Sequence, residues 1–206
     1  LAKSIQEANV KIGKLNIKAI AMGAAFAGAV AVATKALYNL GAEFDNAYDA
    51  IRVGTGATGE ALESLKDDFK DVYGSVPTTM EDASKAIADY NTRLGLTGKE
   101  LSELSKQAIA VSGMLEEDLG TTIETSSQAF QQWGINAKDM GKQMDYIFKV
   151  SQSTGISFNE LMLNMQQYGP QLQDMGYSFE QASAMMGQME KAGVNTTEVL
   201  AAMKKA

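Results

Sequence analysis

The chain has 206 residues, of which 45% are apolar and 21% charged, and a net charge of −7. This composition is that of an ordinary folded protein and excludes wholesale disorder. Because histidine and cysteine are both absent, the sequence excludes disulfides, thiolate nucleophiles, Cys/His zinc sites and histidine acid–base catalysis, and we expect no cofactor, no metal site and no catalytic residue.

The N-terminal part of the chain, positions 1–40, is basic. It has five lysines and one acidic residue, Glu7, so the negative charge is concentrated in the rest of the chain. An acidic body argues against direct nucleic-acid recognition, because contacts with phosphates need clustered cations. The sequence begins at Leu1 rather than at a methionine, so we expect a segment of a longer protein.

Residues 19–34 carry no charge and lie between Lys18 and Lys35. As a helix they would be about 24 Å long at about 1.5 Å per residue, short of a hydrocarbon core of about 30 Å. Alanine and glycine dominate the run, which lets helices approach one another closely. These features favour a self-associating helix over a membrane span, and membrane insertion stays open as the alternative.

Apolar residues through this region recur in alternating steps of three and four, which is the seam of a coiled coil. The sequence therefore predicts one long helix over residues 1–53 that associates with copies of itself, with a trimer as the expected state. The positions assigned to the self-association helix are Ile5, Ala8, Ile12, Leu15, Ala19, Met22, Phe26 and Leu40.

Residues 54–206 form a second predicted region, in which single glycines break the apolar pattern. Gly56, Gly95, Gly134 and Gly176 recur at a nearly constant interval, close to the roughly 40 residues of some helix-hairpin repeats. A compact bundle of hairpins explains this spacing as well as an open solenoid does. The same series of breaks also includes Gly74, Gly113, Gly155 and Gly193.

Helix-start signals follow several of these glycines. In each, a residue that can cap a helix is followed three positions later by an acid or amide that can reach back to it. The pairs are Thr97 with Glu100, Ser157 with Glu160, Ser178 with Gln181, Asn136 with Asp139, Thr78 (after Pro77) with Glu81, and Asn195 with Glu198.

Between these starts, apolar residues advance by three or four, and no useful stretch alternates with period two. The sequence therefore predicts an all-α fold. A long N-terminal helix precedes an array of about seven to eight short helices, arranged as a bundle or as a solenoid-like stack. Nine of the twelve methionines lie between Met140 and Met203, and we interpret them as core residues rather than as a binding surface.

Two motifs could suggest chemistry, and neither has the context that the chemistry needs. Gly54, Gly56 and Gly59 spell G-x-G-x-x-G, but the preceding residues have a helical pattern, so we expect a helix end followed by a restart at Thr58. The acidic groups at 67–71 and 116–118 lack the surroundings of a two-carboxylate hydrolase.

The order of features over residues 45–195 resembles the core region of phage tail tape measure proteins. The matching segments are a small-residue turn, a helix opening near a proline, a "GLTGKEL" step, an acidic "EDL" segment and an aromatic–glycine step. They lie at 54–59, 76–83, 95–101, 117–119 and 130–134. "YGPQ" at 168–171 and residues 176–193 resemble the family's later part, whereas "AGVNTTEVLAAM" at the end departs from its glycine-rich pattern.

The resemblance implies a structural protein. Tape measure proteins set tail length while tube subunits polymerise around them, and they leave the tube ahead of the genome. For this chain it implies a location in the lumen of the tail tube of a virion, several parallel copies, and contacts with tail tube and tail tip proteins. An apolar helix released at infection could then reach the host membrane and the cell envelope.

Three other classes stay open. A membrane-active helical protein, such as a pore-forming or secreted effector, shares the apolar helix and the helical body. An all-helical enzyme has no supporting constellation of residues. A peptide-binding solenoid would require a concave binding face.

Overall fold

The computed structural model describes residues 41–203, and all regular structure in that range is helical, which confirms the all-α prediction. The described chain is a bundle of nine helices. They are α1 (Gly41–Thr55), α2 (Gly59–Ser75), α3 (Met80–Leu94), α4 (Gly98–Leu115), α5 (Leu119–Gln132), α6 (Ala137–Thr154), α7 (Phe158–Asp174), α8 (Phe179–Lys191) and α9 (Thr196–Met203).

The long N-terminal helix predicted over 1–53 is not shown by the structure. From that region it describes α1, which has 15 residues and continues to Thr55, while residues 1–40 lie outside the described part of the chain. Phe44, Ala47 and Ile51 of α1 are buried, and α1 packs against α2 and α3. The described end of the predicted helix is therefore part of the bundle.

The helices alternate between two layers. In one, which we call layer A, α1 packs on α3, α3 on α5 and α5 on α7; in the other, layer B, α2 packs on α4, α4 on α6 and α6 on α8. Helix α9 contacts both α7 and α8. All extensive contacts among the described helices join helices that are one or two places apart in the chain, so each hairpin packs mainly on its neighbours.

The two layers repeat with nearly the same period. In layer A the first residues of α3, α5 and α7 are each 39 positions apart, and in layer B those of α2, α4 and α6 are as well. Side-chain hydrogen bonds between different described helices join residues 30 to 42 positions apart. The glycine spacing in the sequence therefore corresponds to one hairpin of the structure.

The core runs between the layers and contains large side chains from both. Its fully buried members include Phe69, Tyr90, Phe130 and Phe158. An aromatic cluster lies between α1 and α2, where Phe44 meets Phe69 edge to face at 5.8 Å between ring centroids. Burying such side chains is the main source of stability, roughly 1.5–3 kcal/mol for each.

Methionines fill much of the second half of the core. Met144, Met162, Met165 and Met186 are fully buried and Met140 nearly so, which agrees with their interpretation as core residues. Met185 and Met189 are half-buried, and Met175, which follows the end of α7, is 54% exposed. Flexible thioether side chains suit a core whose helices repeat with imperfect sequence similarity.

Most, but not all, of the predicted helix breaks are correct. Gly95 and five others of the series adopt positive φ at turns, as at Gly95 with φ of 68°, a conformation that glycine enters without steric cost. The predictions for Gly74 and Gly113 were wrong, since these residues lie within α2 and α4. Helix α4 ends instead at Glu116, which has φ of 57°.

The predicted helix caps are also partly correct. Ser178 and Gln181 form a complete capping box, and Ser157 accepts from the Glu160 amide. The start predicted at Thr78 is one residue too early, because Thr79 accepts from the Asp82 amide. Thr97 and Asn136 occupy N-cap positions without making the side-chain bond.

The G-x-G-x-x-G segment joins two helices, as expected. It spans the end of α1 and the start of α2, with Thr58 at the N-cap position, and no strand precedes it in the described chain. A dinucleotide-binding turn between strand and helix is therefore not formed here.

Candidate functional site

The predicted self-association positions, Ile5 to Leu40, all lie outside the described residues, so the structure does not place them. Among residues 41–203 no group of three or more acidic side chains is arranged to hold a metal ion. The features with a definite geometry are the contacts that join one hairpin to the next. These contacts are the candidate functional site.

Asp68 of α2 joins α2 to α4. One carboxylate oxygen, Oδ2, accepts from the backbone N–H of Gly98 at 2.9 Å, and Oδ1 accepts from the Ser102 hydroxyl at 3.3 Å. Its carboxylate therefore satisfies an amide at the start of α4, where Thr97 makes no side-chain cap bond. A helix N-terminus favours a negative charge at this place.

Burial has a second effect on Asp68. The side chain is only 7% exposed, and this desolvation raises its pKa above the usual value, even though the hydrogen bonds from Gly98 and Ser102 act in the opposite direction. Asp67 and Asp71 nearby also raise it. The connection between α2 and α4 thus depends on a carboxylate held where ionisation is unfavourable.

Glu117, in the turn after α4, joins that turn to α7. Its two carboxylate oxygens accept from the backbone N–H groups of Phe158 at 2.8 Å and Asn159 at 2.9 Å. Ser157 accepts from the next amide, that of Glu160, at 3.1 Å. Three successive amides at the start of α7 are therefore satisfied, two of them by a residue that precedes the previous hairpin.

Residues at equivalent positions of successive layer B helices each make a hydrogen bond to the next helix of that layer. Gln107 of α4 is one hairpin period after Asp68, and its amide donates to the Gly141 carbonyl and to Asp145 of α6. Tyr146 of α6 is one period after Gln107, and its hydroxyl donates to the Glu180 carbonyl of α8 at 3.4 Å. The residue type changes at each step, while the link to the next layer B helix is kept.

In layer A, a series of connecting hydrogen bonds lies at the C-terminal ends of the helices. Thr92 of α3 donates to the Gly54 carbonyl at the end of α1, and Gln131 of α5 donates to the Arg93 carbonyl at the end of α3. Gln173 of α7 then donates to the Gln132 carbonyl at the end of α5. The last carbonyls of a helix have no partner within their own helix, so each helix supplies a donor for the one before it.

Close backbone approach reinforces both layers. A Cβ atom at Gly169 of α7 would lie 2.7 Å from Nε1 of Trp133, which itself donates to the Met165 carbonyl at 2.8 Å. In layer B a Cβ at Gly187 would lie 2.6 Å from Val150. Trp133 also meets Phe179 edge to face, and its partly buried side chain packs against the core.

A shallow depression opens on layer A where α5 and α7 meet. Its volume is about 370 Å³, and it is lined by Gln128, Gln131, Gln132 and Gln166. All four side chains end in primary amides, which donate and accept hydrogen bonds. No lining residue carries a charge.

Sequence reasoning found the hairpins but missed their connections. Asp68 and Glu117 belong to the acidic groups at 67–71 and 116–118, in which the sequence indicated no site. Nothing in their immediate neighbours shows a distant partner. One signal could have found them. Both are carboxylates that precede a helix start by about one hairpin length, at separations of 30 to 42 positions.

None of the helices in residues 41–203 has both the length and the apolar composition that a membrane span requires.

The stacked hairpins and the bonds between them define the class: a repetitive all-helical protein in which successive hairpins cap one another. The comparison with protein families then makes this specific, since residues 66–206 match the phage-related minor tail protein family. The match covers more than half of the chain, and the chain therefore belongs to this family, whose domain is typical of tape measure proteins. The comparisons with curated proteins and with solved structures gave no match.

Membership carries consequences at the level of the family. It is a family of phage tail structural proteins, generally non-enzymatic in this domain. A component of a phage tail belongs to the virion.

Proposed function

We propose that this chain is a segment of a tape measure protein, which sets the length of a phage tail inside the tail tube and is released when the genome is ejected. The match of residues 66–206 to the minor tail protein family carries the proposal. The described structure supports it, because a row of similar hairpins can be lengthened or shortened by whole units while each hairpin keeps its neighbours.

The partners follow from this role. The chain would lie in the lumen of the tail tube, in contact with tube and tail tip proteins and with other copies of itself, as a trimer. Released on ejection, its N-terminal region would reach the host membrane and the cell envelope. The positions from Ile5 to Leu40 would carry the self-association, through the coiled-coil seam of the sequence.

The deciding experiment is an in-frame deletion of residues 97–135 from the phage gene. It removes one hairpin period, namely α4 and α5, and joins Leu96 to Asn136, so that α6 follows α3 with a helix-capping residue at its start. A ruler predicts uniformly shorter tails, and duplication of the same segment predicts tails that are longer by the same amount. Tail lengths would be measured by electron microscopy of purified virions.

The size of the change also reports the state of the segment inside the tail. If the deleted segment is an extended helix, the tail loses about 58 Å, at about 1.5 Å per residue. A stacked hairpin loses only about 10 Å, the usual spacing of packed helices. The point variant Gln152→Ala, at an exposed position of α6, is the control and should leave tail length unchanged.

Tails of unaltered length in assembled particles that carry the deletion would contradict the ruler function. Self-association has a separate test, since light scattering can compare the mass of residues 1–206 with that of 41–206, which keeps α1 intact. A trimer for the longer chain and a monomer for the shorter one is expected. Equal masses for both would contradict the role given to residues 1–40.

A further inference from the structure

The turn between α4 and α5 contains a strained residue, Glu116. Among residues 41–203 it is the only non-glycine residue with positive φ, at 57°. One hairpin period later, the turn between α6 and α7 has Gly155 at the corresponding position, with φ of 89°. Glycine enters this region without steric cost, whereas the Cβ of a glutamate crowds the backbone there. The side chain of Glu116 is exposed, so burial of its own atoms does not offset this strain.

Helix α5, which begins just after this turn, buries hydroxyl groups where α3 buries apolar ones. The buried hydroxyl residues are Thr122, Thr125, Ser126 and Ser127. The corresponding residues of α3, one hairpin earlier, are Ala83, Ala86, Ile87 and Ala88, all of them buried. Each hydroxyl donates to a carbonyl four positions earlier in the chain. These groups therefore add less apolar burial against a neighbouring helix, and α3 and α5 pack less extensively than α1 and α3 or α5 and α7 do.

The connection across the same boundary is also sparse in layer B. In the described chain, the side-chain hydrogen bonds between α4 and α6 come from one residue, Gln107. Two residues connect α2 to α4, since Asp68 accepts hydrogen bonds from α4 and Lys106 forms an ion pair with α2. Two residues likewise connect α6 to α8, because Gln143 and Tyr146 both bond to the first turn of α8.

Stronger contacts lie on either side of this boundary. On one side is the aromatic cluster of α1 and α2, and on the other Phe179 of α8 meets the rings of Phe130 and Trp133. Glu117, directly after the strained residue, is fixed to the start of α7 by two hydrogen bonds. Helices α1–α4 therefore form one unit, and α5–α9 together with Glu117 form another.

We propose that the stack opens at this boundary, with Glu116 as the hinge, into two units that stay folded. Opening releases Glu116 from its left-handed conformation while Glu117 stays bound to α7. Strained residues persist only where the surrounding contacts hold them, and a protein opens first where those contacts are fewest. The proposal goes beyond the tape measure function and does not depend on it.

Single cysteines can report the opening, because the chain has none of its own. Ser127→Cys is the reporter for the boundary. Ser127 is buried, and its counterpart on α3, Ala88, faces the preceding layer A helix at Gly54. Ser126→Cys is a second reporter, since Ser126 meets the hydroxyl of Tyr90 on α3 at 2.9 Å.

The controls are buried positions inside each unit, Ala88→Cys in α3 and Ser183→Cys in α8. Each cysteine is placed in the whole chain, 1–206, and its labelling by Ellman's reagent is followed under native conditions. The rate is divided by that of the same variant in concentrated guanidinium chloride, which removes differences in intrinsic reactivity. Circular dichroism verifies that each variant folds.

The boundary reporters should be labelled at least about tenfold faster than the controls, because a control reacts only when its unit unfolds. Glu116→Gly should slow the labelling of Ser127→Cys about fivefold, since glycine favours the closed turn. Glu116→Gln removes the charge but keeps the Cβ, and should leave that rate unchanged.

Equal rates for reporters and controls would mean that the chain opens only by complete unfolding, and would overturn the proposal. Faster labelling of either control would overturn it as well, because the first opening would then lie inside a unit. If Glu116→Gly and Glu116→Gln gave the same rate, Glu116 would not be the hinge.

Discussion

Two aspartates in this molecule perform the same task in opposite surroundings. Asp68 accepts from an amide at the start of α4, a helix of the next hairpin, and is buried. Asp118 accepts from the Thr121 amide at 2.7 Å in the first turn of its own helix, α5, and is exposed. Burial raises the pKa of Asp68, whereas the bonds from Thr121 lower the pKa of Asp118.

The difference shows that a carboxylate connecting two hairpins is desolvated, which makes its ionisation less favourable. A local cap keeps its charge in water and gains from the helix dipole. Asp68 lies in the interface between two hairpins, where desolvation opposes its ionisation even though it accepts hydrogen bonds from Gly98 and Ser102. The bundle is therefore held together at α2 and α4 by a group whose ionisation is opposed by its surroundings.

The largest effect on this comparison should come from Asp68→Ala. It leaves the Gly98 amide and the Ser102 hydroxyl without their acceptor in a buried interface, and we expect a loss of about 1–3 kcal/mol in the free energy of unfolding. Chemical denaturation at pH 7 measures it. Asp67→Ala is the control, since Asp67 is exposed and its ion pair is with Lys70, a contact worth about 0–1 kcal/mol. Equal losses for the two variants would contradict the role of Asp68.

Asp118→Ala should cost less, about 1 kcal/mol, which is typical of an exposed N-cap. The same denaturation experiment measures it, with Glu124→Ala on the exposed face of α5 as the control. A loss greater than that of Asp68→Ala would reverse the order that burial predicts.

Asp68→Asn separates charge from hydrogen bonding. Asparagine keeps an oxygen that can accept from Gly98 and removes the cost of a buried charge, so stability at pH 7 should stay constant or rise by less than about 1 kcal/mol. Asp118→Asn should instead lower stability slightly, by about 0.3–1 kcal/mol, because a charge is lost near a helix N-terminus. A fall for Asp68→Asn as large as that for Asp68→Ala would mean that the charge itself is needed.

The smallest expected effect is on the pH dependence of stability, to which Asp68 and Asp118 should contribute with opposite signs. The folded pKa of Asp68 is raised above 3.8. Its favourable contribution to the free energy of unfolding is therefore complete below the unfolded pKa and is lost as pH rises through the folded pKa. For Asp118, whose folded pKa is lowered, it is present above the unfolded pKa and lost as pH falls through the folded one. Unfolding curves from pH 2 to 7 for the wild type and each Asn variant measure both slopes, and slopes of the same sign would refute the assignment.

Much of the fold could be predicted because it depends on local patterns. Apolar periodicity located the helices, and the spacing from Gly56 to Gly134 gave the hairpin length. The errors at Gly74 and Gly113 have a common cause: a glycine near a helix end does not have to terminate it, since the hydrogen bonds of the last turn continue where φ stays negative. The layered packing of helices two places apart needed the three-dimensional structure.

The connections were harder to predict than the helices. A cap such as Ser178 with Gln181 is written within four residues, so the sequence shows it. Asp68 and Glu117 act on helices 30 and 41 positions away, and a single sequence carries no local sign of such a pair. At α4 the local pattern located the N-cap position, Thr97, which makes no side-chain bond. The neighbouring Gly98 amide donates to the distant Asp68 carboxylate.

The methionine-rich core has a chemical consequence. Met144, Met162 and Met165 are fully enclosed, while Met175 is open to solvent. Mild peroxide would therefore convert Met175 to its sulfoxide while the enclosed thioethers react only when their hairpins open. The chain has no cysteine, so its sulfur oxidation occurs at methionines alone. The order in which the methionines are oxidised, followed by mass spectrometry, would therefore report the order in which the hairpins open.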